Sequence, residues 1–263
     1  MSNLITRVDV AVRRLDPVEA ELIATVRCRQ VTPSTLLKGQ LTGPRCPYAS
    51  TVEIAYPWRE IARTQDEIQL RALIPEPSPW DTQSPFRYES VLDLLEDGVS
   101  CDKQVSSQGI RTVHFGPRGW RWNGRELSLH ARRRDSLTED SVLDLRTDGC
   151  NALLLPVEPV VSECLNDVRA CAWRIADHYG FLLLGLLDAS VPFEKVMQRA
   201  RCTCALGWVA TAKTFARARS LIDAGLILGF LLGQPDEPVP EGCSFVVVPD
   251  ASWKTSVPQV WVP

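Results

Sequence analysis

Five carboxylates, Glu158, Asp188, Asp236, Glu237 and Asp250, each come just after an apolar run that reads as a strand. In parallel βα architectures ligands and reacting groups gather at the strand C-termini, so these five are placed to converge on one face. Two carboxyl groups held there in different protonation states would serve as general acid and general base or nucleophile. Each acid also suits a plainer role, capping a helix N-terminus or lying in a solvated loop, and Asp250 before Ala-Ser-Trp has the form of a cap. Trp120 and Trp122 are the aromatic pair to watch, because an indole face can stack on a ring-shaped ligand, although most tryptophans, such as Trp80, Trp208 and Trp253, pack. Arg132 to Arg134 could grip an anion, but three arginines after a strand read more simply as a solvated loop. His178 lies beside a helical apolar stripe and reads as a helix-end or core histidine. Three scattered histidines, and a Cys202/Cys204 pair that alternates in an apolar run, give no metal-ligand pattern. The chain has neither a Gly-x-Ser-x-Gly elbow nor a glycine-rich strand-to-helix turn, so neither a serine nucleophile nor a bound nucleotide cofactor is expected.

The elements that must position these residues belong to a 263-residue chain of average apolar content, 45%, with 23% charged residues, which is the composition of a packed globular protein. Its 29 Lys and Arg against 32 Asp and Glu leave a net charge of −3, with no basic excess for nucleic acid or an anionic membrane. The longest apolar stretches, 181–187 and 224–232, fall far below the roughly 18 residues that span a bilayer. Charges at Arg7, Asp9, Arg13 and Arg14 interrupt any secretory core. Nine cysteines without a Cys-x-x-Cys pair suit a reduced, cytoplasmic chain.

Up to about residue 116 the pattern has period two: Val8, Val10 and Val12, then Leu22, Ala24, Val26 and Cys28, alternate with other residues. Further strands are expected at 50–56, 68–74, 86–95 and 109–115, and six to eight strands in this span predict an immunoglobulin-like β-sandwich over 1–116. Over 117–263 the pattern becomes apolar runs alternating with 3.6-period segments, which predicts an α/β domain of parallel βα units. Six strands are expected, at 126–130, 151–155, 181–187, 202–209, 226–232 and 244–248. Between them lie a helix opened by a Ser136/Glu139 capping box and stopped by Gly149, one carrying Val168, Cys171, Ala172, Ile175, Ala176 and Tyr179 before Gly180, and one carrying Phe215, Ala218 and Ile222 before Gly225.

Three segments resemble the middle of the family 2 glycoside hydrolases, the group of β-galactosidases, β-glucuronidases and β-mannosidases. The first, Ile74 to Tyr88, is similar to the family's Trp-x-Pro…Pro-x-x-Tyr loop and strand. The second, Gln108 to Phe115 with Trp122-Asn123-Gly124, resembles its Gly-Phe-Arg strand and the Asn-Gly turn entering its barrel. The third, Val142 to Asn151 with Ala176 to Leu184, resembles its first barrel units. The resemblance implies an incomplete TIM barrel after the sandwich and O-glycosyl hydrolase ancestry in carbohydrate metabolism. It also exposes departures: with sandwich strands starting almost at Met1, the family's sugar-binding jelly-roll domain is expected to be absent, and where its acid/base strand ends in Asn-Glu after a tryptophan, Trp208 is followed by Val-Ala-Thr-Ala-Lys. Of the family's Leu-Arg-Gly…Asn-Arg-His segment only Leu129 and Arg134 match. With 148 residues after Phe115 against roughly 250 for a full barrel, the nucleophile's strand is expected to be missing.

Glycoside hydrolysis needs two carboxyl groups, roughly 5 Å apart for retention or roughly 6.5–9.5 Å for inversion. The reading is therefore a non-catalytic scaffold or weak glycan binder, with Trp120 and Trp122 as sugar contacts. One alternative is an active glycosidase that pairs Asp188 with Asp236 or Glu237. Another is a protein-interaction module. Carbohydrate and a protein partner or second copy are the expected partners, the latter because an open sheet edge invites pairing unless the tail, Pro235 to Pro263, covers it.

Overall fold

The computed structural model describes residues 3–157, 172–249, 251–253, 255 and 257–262. The chain divides into two compact units, Met1–Thr112 and Val113–Pro263. Val113–Gly116 pairs with Gly119–Trp122 in the second unit.

The first unit is a sandwich of two four-stranded antiparallel sheets. Its strands are β1 (Ile5–Leu15), β2 (Glu19–Cys28), β3 (Thr35–Arg45), β4 (Ile54–Pro57), β5 (Arg59–Arg63), β6 (Glu67–Pro75), β7 (Arg87–Glu96) and β8 (Val99–Gly109), ordered β1-β2-β6-β5 and β4-β3-β7-β8. Leu22, Ala24 and Val26 of β2, Ile68, Leu70 and Ile74 of β6, and Leu92 and Leu94 of β7 fill the space between the sheets. This is the alternation that period-two patterning demands of half-buried strands. Trp80 and Tyr88 of the family-like segment are buried, and the Tyr88 hydroxyl accepts a hydrogen bond from the Ser78 amide at 3.0 Å. β3, β5 and β8 were not expected. In β3, a Cβ on Gly39 would stand 2.3 Å from the Val91 carbonyl oxygen, so glycine is what permits this close strand pairing.

The second unit opens with an antiparallel sheet of β9 (Val113–Gly116), β10 (Gly119–Trp122) and β11 (Arg125–Glu126). Its β10–β11 hairpin turns on Asn123 and Gly124, both at positive φ (49° and 77°), as an Asn-Gly turn requires. Seven parallel strands follow in sequential order: β12 (Ala131–Arg133), β13 (Ala152–Pro156), β14 (Leu182–Leu186), β15 (Ala205–Ala210), β16 (Leu228–Leu231), β17 (Phe245–Val248) and β18 (Gln259–Trp261), curled nearly into a closed barrel. Around them are α1 (Glu139–Thr147), α2 (Ala172–Tyr179), α3 (Phe193–Arg199), α4 (Phe215–Ala218) and α5 (Ser220–Asp223). Among the described residues no helix is long and apolar enough to cross a membrane.

Several expectations shift here. The first barrel strand is Ala131–Arg133, not 126–130, so the arginine run forms a strand instead of a loop after one. The Asn151 side chain holds the lead-in, accepting from the His130 amide and donating to the Ser128 carbonyl, both at 2.8 Å. The α1 cap is Thr138, whose amide donates to Ser141 Oγ at 3.2 Å. Leu137 is buried just before the cap and Val142 four residues after it, the positions of a hydrophobic staple, which sets the entry later than Ser136. Gly149, Gly180 and Gly225 do end their helices, at φ +71°, +78° and +77°. The third expected helix is two short ones meeting at Arg219. Cys202 and Cys204 precede β15 in a turn. Finally, Gln259–Trp261 from the C-terminal tail pairs with β17 as a seventh strand, so the tail covers that edge. Val168 and Cys171 lie outside the described residues.

Candidate functional site

Alternation along the barrel strands separates two faces. Trp208 stacks on Trp173 of α2, ring centroids 5.5 Å apart and 14° from parallel, and Phe230 meets Phe215 of α4 edge-on at 5.7 Å. These positions therefore face the helices, and their strand neighbours face inward. Inward positions are Ala152, Leu154, Leu182, Leu184, Gly207, Val209, Gly229, Phe245, Val247 and Val260, by the registers of adjacent strands. At the N-terminal end Trp120 closes this interior: its ring meets Phe115 at 4.7 Å and Phe245 at 5.4 Å, and a Cβ on Gly207 would stand 3.1 Å from it. Trp120 and Trp122, the two indoles expected to contact sugar, are 6% and 5% exposed.

The C-terminal end is the mouth where the carboxylates were expected. Its inward rim is formed by Arg133, Pro156, Leu186, Thr211, Leu231 and Gly233, none of them buried. Asp188 follows β14 and is exposed, but its Oδ1 accepts from the Ser190 amide at 2.8 Å and the Ser190 hydroxyl at 2.7 Å. The amide bond chiefly, with the hydroxyl, holds the Asp188 carboxyl below its ordinary pKa; donors to the charged form favour ionisation. A carboxylate so held can act as a base or nucleophile at neutral pH, not as a proton donor. Glu237 follows β16 and turns back on its own loop, its Oε2 accepting from the Gly233 amide at 2.6 Å. Asp236 is exposed beside it. Since β15 lies between β14 and β16, the strand ends carrying Asp188 and the 236/237 pair stand about 10 Å apart at about 4.8 Å per strand. Glu158 and Asp250 lie outside the described residues.

The loop after β15, where the resembled family carries Asn-Glu, presents Ala212 and Lys213 to solvent. Thr214, buried behind them, ties the turn by accepting from the Thr211 amide at 2.9 Å. Beside Asp188 a cleft of about 160 Å³ opens between α3 and the α4–α5 pair, walled by Leu187, Val191, Phe193, Val196 and Leu221. Arg217 at its rim donates to the Ala189 and Val191 carbonyls, fixing the loop that follows Asp188. His178 is the last residue but one of α2, its ring edge-on to Tyr179 at 4.7 Å.

One consequential acid escaped the strand-end search. Asp177 is buried in α2, and its Oδ1 accepts from the Cys204 amide at 3.0 Å, so this carboxylate fixes the chain as it enters β15. The signal was an aspartate within the apolar stripe of a helix, where a charge survives only with a partner.

In chain order an antiparallel sandwich is followed by a parallel, near-closed βα barrel with its mouth at the strand ends. Solved structures make this specific. The chain is similar to a family 2 glycosyl hydrolase member from Bacteroides cellulosilyticus DSM 14838 (15% identity, TM-score 0.67, covering 99% of this chain and 46% of that one). It is also similar to a Bifidobacterium dentium β-glucuronidase complexed with coumarin-3-O-glucuronide (14%, 0.66, 94% and 47%), and to a putative β-galactosidase from Bacteroides fragilis (15%, 0.65, 94% and 43%). The chain thus spans less than half of each, and it has the fold of the family 2 glycoside hydrolases, as the resemblance in its sequence implied. No family model matches the sequence, and no curated protein does either.

Proposed function

We propose that the chain is a non-hydrolytic scaffold on the family 2 glycoside hydrolase fold, binding carbohydrate weakly at its strand-end mouth. The observation that carries this reading is the state of the acids there: among the described residues, Asp188 and Glu237 spend their carboxylates on amides of their own loops. Asp188 is exposed and Glu237 half-buried. Among the described residues, the inward positions Pro156, Leu186, Val209, Leu231 and Val247 approaching the mouth are apolar, with Arg133 and Thr211 at the rim. The carbohydrate clause rests on fold likeness to glycosidases, which raises the expectation without supplying a site. A cytoplasmic setting suits a chain of nine cysteines without a Cys-x-x-Cys pair.

Thermal melts against plain sugars, aldonolactones and iminosugars test the reading, because a ligand that binds only the folded state adds RT ln(1 + [L]/Kd) of stability. At ten times Kd this is about 1.4 kcal/mol, which moves the melt of a domain this size by roughly 3–6 °C. A shift with plain sugars supports the proposal. Selective stabilisation by lactones or iminosugars overturns its non-hydrolytic part, and would make Asp188 with Asp236 or Glu237 the pair to mutate. No shift with any sugar overturns the carbohydrate clause.

A further inference from the structure

Between α3 and the α4–α5 pair lies the cleft of about 160 Å³ beside Asp188. This is room for one small apolar group: a cavity of about 150 Å³ lined by Leu, Ile and Phe takes up a benzene ring. Val196 of α3 and Leu221 of α5 form its depth, buried at 3% and 2% exposure, whereas Phe193, which opens α3 on the same wall, is 45% exposed. An apolar ligand group seated here would take that ring out of water as well as its own surface.

Asp188 and Arg217 are the charged residues lining the cleft, one of each sign. They brace the same turn from two sides: Asp188 accepts from the Ser190 amide and hydroxyl, and Arg217 donates to the Ala189 and Val191 carbonyls. Among the described residues neither is in an ion pair, with the other or with a third group. Both keep bonding capacity in hand. A guanidinium has more N–H donors than the two that Arg217 gives to carbonyls, and a carboxylate has more lone pairs than the two that Asp188 gives to Ser190. The rim is therefore dipolar, and a ligand with a single charge would meet a like charge there as well as an opposite one.

We propose that this cleft binds a free amino acid with an apolar side chain, such as phenylalanine, its ammonium on Asp188, its carboxylate on Arg217 and its side chain against Phe193. The two charges of an α-amino acid branch from one carbon, so both can meet the rim while a single apolar group enters the cleft. Hydrogen bonds between ionised partners are the stronger kind, and the planar guanidinium suits a carboxylate. Asp188 and Arg217 face solvent, which screens them, so millimolar affinity is expected. The site uses none of the inward positions of the barrel mouth, and it stands or falls apart from the carbohydrate reading.

The test is an amide chemical-shift titration of the full chain with L-phenylalanine, phenethylamine, which lacks the carboxylate, and 3-phenylpropanoate, which lacks the ammonium. Expected are shifts at residues 188–193 and at Arg217 that saturate with millimolar phenylalanine, and at least tenfold weaker binding of each truncated ligand. Arg217→Gln keeps a donor for the turn but loses the charge, and should weaken phenylalanine at least tenfold while hardly changing phenethylamine. Asp188→Asn should weaken phenylalanine as much while hardly changing 3-phenylpropanoate. A turn that had merely loosened would weaken all three ligands alike. No shift with tens of millimolar phenylalanine overturns the proposal, as do truncated ligands that bind as tightly as phenylalanine, or losses in both variants that all three ligands share. Phenylalaninamide binding as tightly as phenylalanine also overturns it, and would make the N-terminus of a peptide the occupant.

Discussion

Gly229→Ala offers a quantitative test of how the barrel interior is packed. Its new Cβ would stand 2.4, 2.5 and 2.7 Å from three carbons of the Phe245 ring, where carbon–carbon contact is normally about 3.5–4.0 Å, so the ring must retreat by about 1 Å. It has little room: Trp120 meets it at 5.4 Å and Phe115 at 6.0 Å, and its side chain is fully buried. Overpacking of this kind costs about 1–3 kcal/mol, offset by roughly 0.5 kcal/mol from the stiffer unfolded chain. At about 2–4 °C per kcal/mol, calorimetry should show the second unit melting roughly 1–10 °C lower. Phe245→Leu destabilises on its own by opening a cavity, but in the Gly229→Ala background it relieves the clash, so the double mutant should be at least about 1 kcal/mol more stable than additivity predicts. Gly233→Ala is the control, because its nearest neighbour, Glu237 Oε2, is at an ordinary 3.4 Å. A Gly229→Ala melt equal to wild type, or a strictly additive double mutant, would refute the packing argument.

Asp177→Ala leaves the Cys204 amide without its acceptor in a buried setting and should cost about 1–3 kcal/mol in urea unfolding; Asp177→Asn, which keeps a carbonyl oxygen, should cost less. Glu96 receives the hydroxyls of Ser34 at 2.6 Å, Thr35 at 2.8 Å and Thr32, which bring its pKa down to about 2. A folded-state pKa below the ordinary carboxylate value gives stability that is present above about pH 4.5 and lost as pH falls toward about 2. Melts of the first unit over that window should fall with a slope that Glu96→Gln flattens. Asp188→Asn weakens acceptance from the Ser190 amide and should loosen the 188–191 turn, read as faster amide exchange at Ser190, with no change in the sandwich.

Legibility in the sequence followed the physics of each element. β2, β6 and β7 announced themselves because one face is core and the other is not, so apolar residues alternate. β8 is polar along most of its length because it is an edge, and β3 hid behind glycines that its close pairing with β7 requires. β18 lies in a proline-rich tail, and three residues carry too little pattern to be read. The strand-end positions of Asp188, Asp236 and Glu237 were legible as acids following apolar runs. What Asp188 and Glu237 bond was less so: Gly233 meets Glu237 through a backbone amide that no residue type encodes, and Ser190 meets Asp188 through its amide as well as its hydroxyl. Arg132 to Arg134 misled for the opposite reason: charge reads as a loop, yet a barrel strand at the sheet edge tolerates charge on residues that reach solvent.

The most direct measurement is hydrolysis of a panel of 4-nitrophenyl glycosides, including β-galactoside, β-glucuronide and β-mannoside, by the purified chain beside its Asp188→Asn, Asp236→Asn and Glu237→Gln variants. The account predicts turnover no faster than buffer for the wild type, and no difference among the variants. Turnover of any glycoside that Asp188→Asn or Glu237→Gln abolishes would contradict it and establish a working carboxylate pair at the mouth.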